Sequence, residues 1–196
     1  MVNTAAQKPT ENGPEERIVR ALGRRSVVLV GMMGAGKSSI GRRLATRLGM
    51  PFMDADTEIE SAAGMTIAEI FDKHGEAYFR AGEARVIARL LDHGPQVLAT
   101  GGGAMMDAHT RELIRDKGIS IWLKADLDVL LKRTRRRGER PLVDKIKDLM
   151  PVREPIYAQA DIVVQSRDEP HDIIVDEIIA AMPAHLGLAA DEEKQT

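Results

Sequence analysis

Ser26-Val27-Val28-Leu29-Val30 passes directly into Gly31-Met32-Met33-Gly34-Ala35-Gly36-Lys37-Ser38. The first five residues are apolar or small and mostly β-branched, the composition of a strand buried on both faces, as in a parallel sheet. From residue 37 to 48, Ile40, Leu44, Ala45 and Leu48 fall on one face at helical spacing, and Gly49 supplies a stop. Between strand and helix lies a complete Gly-x-x-x-x-Gly-Lys-Ser pattern, in the context that makes such a match informative. Glycines allow backbone N–H groups to close around phosphate oxygens, and the following helix presents its positive end. Gly34, Ala35, Gly36, Lys37, Ser38 and Ser39 are therefore expected to hold the phosphates of ATP. Lys37 would neutralise the β- and γ-phosphates and Ser38 Oγ would ligate Mg²⁺. An ordinary glycine-rich turn is the plain alternative, and the completeness of the motif and its flanks weighs against it. The loop alone does not separate a kinase from a GTPase or an ATPase.

Working outward, strand and helix signals alternate. Phe52-Met53 is a weak strand ending at Asp54, and Thr66 with Glu69 has capping-box spacing ahead of Ile67, Ile70 and Phe71. A further helix is expected over 76–91, strands over 96–100 and 119–123, and a helix from near Asp107. Asp126 can cap a helix carrying Leu127, Leu130 and Leu131; a last strand over 161–165 precedes a helix over 170–182. This order calls for an α/β fold with a parallel sheet and helices on both faces. With 196 residues, one domain is expected over 17–188, with frayed tails at 1–16 and 189–196. A net charge of −2 gives no reason to expect nucleic acid or a membrane as partner, and the absence of cysteine excludes disulfides and thiolate chemistry. No apolar run resembles a signal peptide or a membrane span, so a cytoplasmic protein is expected.

Asp54 and Asp56 follow the second strand as Asp-Ala-Asp, at the carboxyl edge of the sheet beside the phosphate loop. Alternation along an extended segment would put both carboxylates on one side. One can hold Mg²⁺ through water, and the other can accept a hydrogen bond from an acceptor hydroxyl. For Asp56, capping the helix that carries Ile59 and Glu60 is the competing role.

The phosphate loop is followed in order by Phe52-Met53-Asp54-Ala55-Asp56 with Ile59-Glu60, by Gly75-Glu76-Ala77-Tyr78-Phe79-Arg80 with Glu83, by Gly101-Gly102-Gly103, and by Arg140-Pro141-Leu142. Over about residues 26–182 this set resembles the shikimate kinases. The resemblance implies a P-loop, three-layer α/β/α fold with a five-stranded parallel sheet, an acceptor-binding insertion over about 54–92 and a lid over about 134–148. It implies phosphorylation of the 3-hydroxyl of shikimate by MgATP, in a protein expected to be a monomer. By the same resemblance Arg80 and Arg153 hold the shikimate carboxylate together with the backbone of Gly102, flanked by Gly101 and Gly103, and Glu83 orients Arg80. Arg140 reaches the transferring phosphate, and Arg133 stacks on adenine opposite the loop around Pro170. Lys37, Arg140 and Asp56 are the expected catalytic residues, with Asp56 also touching the acceptor; Ser38, and Asp54 through water, are the expected metal residues.

The residue chemistry agrees with that acceptor, since a guanidinium can grip a carboxylate bidentately and glycines let the backbone approach a ring closely. The competing role for Arg80 is a surface helix arginine paired with Glu76 or Glu83. Lys132, Arg133, Arg135, Arg136, Arg137 and Arg140 form a dense basic cluster, but no aromatic residues interleave to stack bases, so a lid over ATP is preferred to an RNA-binding module. A kinase for another small hydroxy acid such as gluconate, and a non-catalytic ATP-binding protein, are the remaining alternatives. The acceptor set argues against the second, because a switch that only binds ATP does not need it.

Overall fold

A computed structural model describes residues 13–135 and 145–188. Helix α1 (Pro14–Leu22) starts with proline in its first turn, followed by Glu15 and Glu16. A preset φ and negative charge both favour a helix N-terminus, so helical order starts earlier than the tail boundary expected at residue 16. Glu15 is also tied to Arg47 at 2.9 Å, and Ile18 and Leu22 are buried.

Strand β1 (Ser26–Val30) is buried at every position and leads into α2 (Lys37–Leu48), as its composition required. Next come β2 (Phe52–Asp54), α3 (Ala55–Ala63) and α4 (Ile67–Asp92). The capping box is present: Thr66 Oγ1 accepts from Glu69 N at 3.2 Å, and Glu69 Oε2 accepts from Thr66 N at 2.8 Å. The two helices expected here join end to end at Gly75, whose φ of 80° and ψ of 172° break the helical path. Strand β3 (Val97–Ala99), a 3₁₀ turn (Ala104–Met106), α5 (Ala108–Lys117), β4 (Gly118–Lys124) and α6 (Leu127–Arg135) follow. Helix α7 (Ile146–Tyr157) was not anticipated from the sequence; it contains Pro151 and Pro155, which normally argue against a helix interior. Strand β5 (Ile162–Gln165) and helix α8 (His171–His185) come last among the described elements. Asp161, expected in the last strand, stands just before it. Its carboxylate accepts from Ser120 N at 2.7 Å and Ser120 Oγ at 2.6 Å, tying the starts of β4 and β5.

The five strands are all parallel, in the order β2-β3-β1-β4-β5. Right-handed crossovers then put α2 on one face and α4 and α5 on the other, with α1 and α8 packed beside α2. The direction of travel reverses after β2, so the carboxyl ends of β1, β2 and β3 open onto one crevice. The main core lies where Ile40, Leu44 and Leu48 of α2 and Ile174, Val175, Ile178 and Met182 of α8 cover the sheet. Ile59, Ile70 and Phe79 form a separate small cluster, with the Phe71 and Phe79 rings 4.8 Å apart, so α3 and the first half of α4 fold around a core of their own. Among the described residues, no helix is long and apolar enough to cross a membrane.

Leu44 is fully buried at the α2–sheet contact. Leu44→Ala is expected to cost about 2–5 kcal/mol by removing buried surface and leaving a cavity. Urea unfolding should show a lower midpoint with an unchanged slope.

Candidate functional site

The crevice is set by the pairing of β1 with β3. Leu29 O, near the end of β1, accepts both the backbone N–H (3.2 Å) and the hydroxyl (3.0 Å) of Thr100. Soon afterwards each strand leaves the sheet, one into the loop of Gly31, Gly34 and Gly36, all at positive φ, the other into Gly101-Gly102-Gly103. The phosphate-binding motif and the triple glycine are thus side by side, and a Cβ on Gly102 would lie 3.3 Å from Met33 N.

Two cavities meet here. The smaller, of about 30 Å³, is lined by Gly34, Gly36, Lys37 and Ser38 together with Asp54, Asp56, Thr100 and Gly102. Helix α2 begins at Lys37 with no side-chain cap, so no capping side chain competes with an anion at its N-terminus. Lys37 is buried and donates to the carbonyls of Gly31 (2.8 Å) and Met32 (2.9 Å), which compensate its charge within the loop. The larger cavity, of about 460 Å³, has a polar wall of Asp56, Arg80, Glu83, Arg153 and the three glycines, and an apolar wall that includes Ile67, Phe71 and Phe79. Met33, Asp54, Asp56 and Gly102 line both.

The two aspartates reach this wall by a route other than strand alternation. Asp54 ends β2 and caps α3, its Oδ1 accepting from Asp56 N at 3.1 Å; Asp56 already lies in the first helical turn. Asp54 therefore takes the capping role weighed for Asp56, and the helix start places Asp56 Oδ1 3.2 Å from where a Cβ of Gly101 would stand.

Arg80 does both things considered for it. It pairs with Glu76 at 3.1 Å and Glu83 at 2.6 Å, and it also lines the larger cavity. Its guanidinium lies over the Phe79 ring at 5.0 Å and occupies the space a side chain at position 103 would need, with Nη1 2.4 Å from the would-be Cβ. Glu83 is only 2% exposed; burial pushes its carboxyl up from the ordinary range, against the pull of Arg80. Burial works against the charge on Arg80 too, but Glu83 and Glu76 outweigh it and hold the guanidinium above its usual value. Glu83 Oε1 has no hydrogen-bond partner among the described residues, and a Cβ at Gly101 would come within 2.2 Å of it. Only glycine fits there without displacing a buried carboxylate.

Helix α7 supplies the opposite side. Arg153, buried, donates from Nη1 to Gly102 O at 3.1 Å, and the Tyr157 hydroxyl donates to the same oxygen. Tyr157 escaped the sequence reading; the signal was its four-residue spacing from Arg153, invisible until the segment is known to be helical. Burial raises its hydroxyl to about 12, so it remains a donor throughout the physiological range.

Arg133 bonds to Ser166 Oγ (2.9 Å) and Arg167 O (2.5 Å), with Gly34 O at 3.4 Å, while Ser166 Oγ donates to Ala35 O at 2.8 Å. These bonds staple the phosphate loop to the segment between β5 and α8. Pro170 closes that segment as the residue before α8, and Ser39 stands in the first turn of α2; Ala35, Ser39, Arg133 and Pro170 line neither cavity. Arg140 lies outside the described residues, as does the central part of the expected lid.

Comparison with known proteins identifies the family. The family model described as shikimate kinase matches residues 33–183. A shikimate kinase of Bradyrhizobium diazoefficiens is 60% identical over 187 residues, covering 92% of this chain and 90% of that one. Another from Rhodopseudomonas palustris is 58% identical over 193 residues, 95% of each chain. Among solved structures, shikimate kinase from Acinetobacter baumannii in complex with shikimate superposes with a TM-score of 0.81 at 36% identity, covering 85% of this chain and 97% of that one. On a family match across most of its length and relatives at this identity, the chain belongs to the shikimate kinase family.

Proposed function

We propose that this protein transfers the γ-phosphoryl group of ATP to the 3-hydroxyl of shikimate, giving 3-phosphoshikimate and ADP. The observation that carries the reading is the shared wall: a small cavity on the Lys37 loop and a larger cavity lined by two arginines meet at Asp54, Asp56 and Gly102. A donor phosphate and an acceptor hydroxyl bound in the two would face each other across those residues.

Phosphoryl transfer depends on positioning and on spreading charge over the transferred group more than on covalent chemistry. Lys37 would exchange its bonds to Gly31 O and Met32 O for phosphate oxygens. Arg80 and Arg153 would receive the acceptor carboxylate, with Glu83 holding Arg80 in place. Asp56 would orient the hydroxyl and take its proton late, when bond formation makes the hydroxyl acidic. A strongly raised pKa is not needed for that task, because placement matters more than base strength in a loose transition state. Arg140 is assigned to the transferring phosphate on resemblance.

Mg²⁺ fits the donor set. It prefers one or two protein oxygens beside phosphates and waters to an all-protein cage, and Ser38 and Asp54 line the phosphate cavity while no cluster of three ligating side chains is found among the described residues. Ser38 and Asp54 would hold the ion there, and it would supply charge neutralisation to the phosphates of ATP.

The direct test is ATP turnover with and without acceptor. Shikimate should stimulate it strongly and gluconate should not; stimulation by gluconate alone would change the substrate, and silence with both would favour a protein that binds ATP without transferring it. Lys37→Ala should lower turnover by about hundredfold or more while the protein stays folded, because a charge-stabilising donor at the transferring group is removed. Near-normal turnover at saturating ATP would remove Lys37 from that role.

Arg80→Lys tests the carboxylate grip, since an ammonium keeps the charge but cannot make two parallel hydrogen bonds. Shikimate affinity should fall by about 1.5–3 kcal/mol, the scale of a charged hydrogen bond, which is about ten- to hundredfold. ATP affinity should barely move. A carboxamide analogue should bind the unmodified protein poorly and lose little more in the variant; equal losses for acid and amide would place Arg80 outside the acceptor site.

A further inference from the structure

Tyr157 follows Arg153 by four residues on α7, so the two side chains leave the helix on one face. Both donate to Gly102 O, and a carbonyl oxygen has two lone pairs, so together they fill it. The Tyr157 hydroxyl also lies 3.8 Å from Met32 Sδ. Met32 belongs to the phosphate loop and Gly102 to the triple glycine, so one buried hydroxyl touches both sides of the crevice. The ring is held as firmly as the hydroxyl. It is 1% exposed and sits 5.9 Å from the ring of Trp122, whose Cδ1 would be 3.2 Å from a Cβ on Gly31. A trans peptide is planar, so fixing the direction of the Gly102 carbonyl also fixes the Gly103 N–H, which points the opposite way, off α7.

We propose that Tyr157 is a positioning residue that sets the spacing and angle between the phosphate loop and the triple-glycine loop, and so the alignment of donor phosphate with acceptor hydroxyl. This rests on the kinase reading above. Arg80 and Arg153 would still receive the acceptor carboxylate without the tyrosine hydroxyl, so ground-state binding does not depend on it. What depends on it is registry between the two loops, to which the reacting atoms are more sensitive than binding is.

The test is Tyr157→Phe in the full chain, which keeps the ring and its packing and leaves Gly102 O still bonded to Arg153. Turnover, KM for shikimate and for ATP, and thermal midpoint are measured beside the unmodified protein, at a temperature where circular dichroism shows both folded. Turnover should fall by about five- to fiftyfold, below the roughly hundredfold that a misplacement of about 1 Å can cost, while both KM values stay within about threefold. Titration of Trp122 fluorescence, from the only tryptophan, gives shikimate affinity independently of turnover and should be nearly unchanged. Unchanged turnover overturns the proposal. So does a rise in the shikimate KM with turnover preserved, which would make Tyr157 a binding residue, and so does a loss of shikimate affinity by fluorescence that matches the loss of turnover, which would make it a packing residue. If the unmodified protein fails to phosphorylate shikimate, the kinase reading falls first and takes this inference with it.

Discussion

Leu29 O accepts two hydrogen bonds from one residue, Thr100, and the geometry of the crevice follows from that pairing. A parallel sheet makes no hairpin, so neighbouring strands arrive from distant parts of the sequence and are brought level only by their ladder. With β1 and β3 in register, the glycine-rich turn after one and the triple glycine after the other leave the sheet at the same height. The pairing of β2 with β3 brings Asp54 to that height as well, opposite Ala99. A one-residue slip in either ladder would turn alternate side chains to the other face and separate the donor cavity from the acceptor cavity.

The crevice concentrates charged side chains that are expensive to bury. Lys37, Glu83 and Arg153 are each nearly inaccessible, in a protein whose other buried groups are mostly apolar. Unpaired, any of them would cost several kcal/mol. Each is compensated by something local: loop carbonyls for Lys37, Arg80 for Glu83, the Gly102 carbonyl for Arg153. The compensation is incomplete at Glu83 Oε1. A buried carboxyl oxygen without a hydrogen-bond donor reduces stability.

The basic cluster shows how one composition divides into separate jobs. Lys132 pairs with Asp168, and Arg133 is drawn into the bonds that fasten the phosphate loop to the segment before α8. Lys132 lies at the surface with its acidic partner, whereas Arg133 is turned toward the loop. Arg133 is anchored through its guanidinium nitrogens; stacking on adenine is proposed for it on resemblance alone.

Most of what depends on near neighbours in the chain was legible beforehand, the start of α1 at Pro14 being the exception. The buried strand at 26–30, the phosphate loop, the capping box at Thr66 and Glu69 and the alternation that demands a parallel sheet all follow from short-range sterics and hydrogen bonding, which a sequence states directly. Helix α7 was not legible, because Pro151 and Pro155 contradict local propensity; its buried residues Ile146, Arg153 and Tyr157 recur along one side and gain from packing what the prolines cost. The division of labour between Asp54 and Asp56 was likewise undecided, since either residue type can cap a helix and only the turn at the end of β2 selects one. Tyr157 reads as an ordinary core aromatic until Gly102, 55 residues earlier, is seen to receive its hydroxyl. Residue types and their order were sufficient to name the chemistry and the family, whereas the meeting of two cavities and the atoms that hold them in register required long-range contacts, because no local rule sets the distance between loops that only the folded sheet brings together.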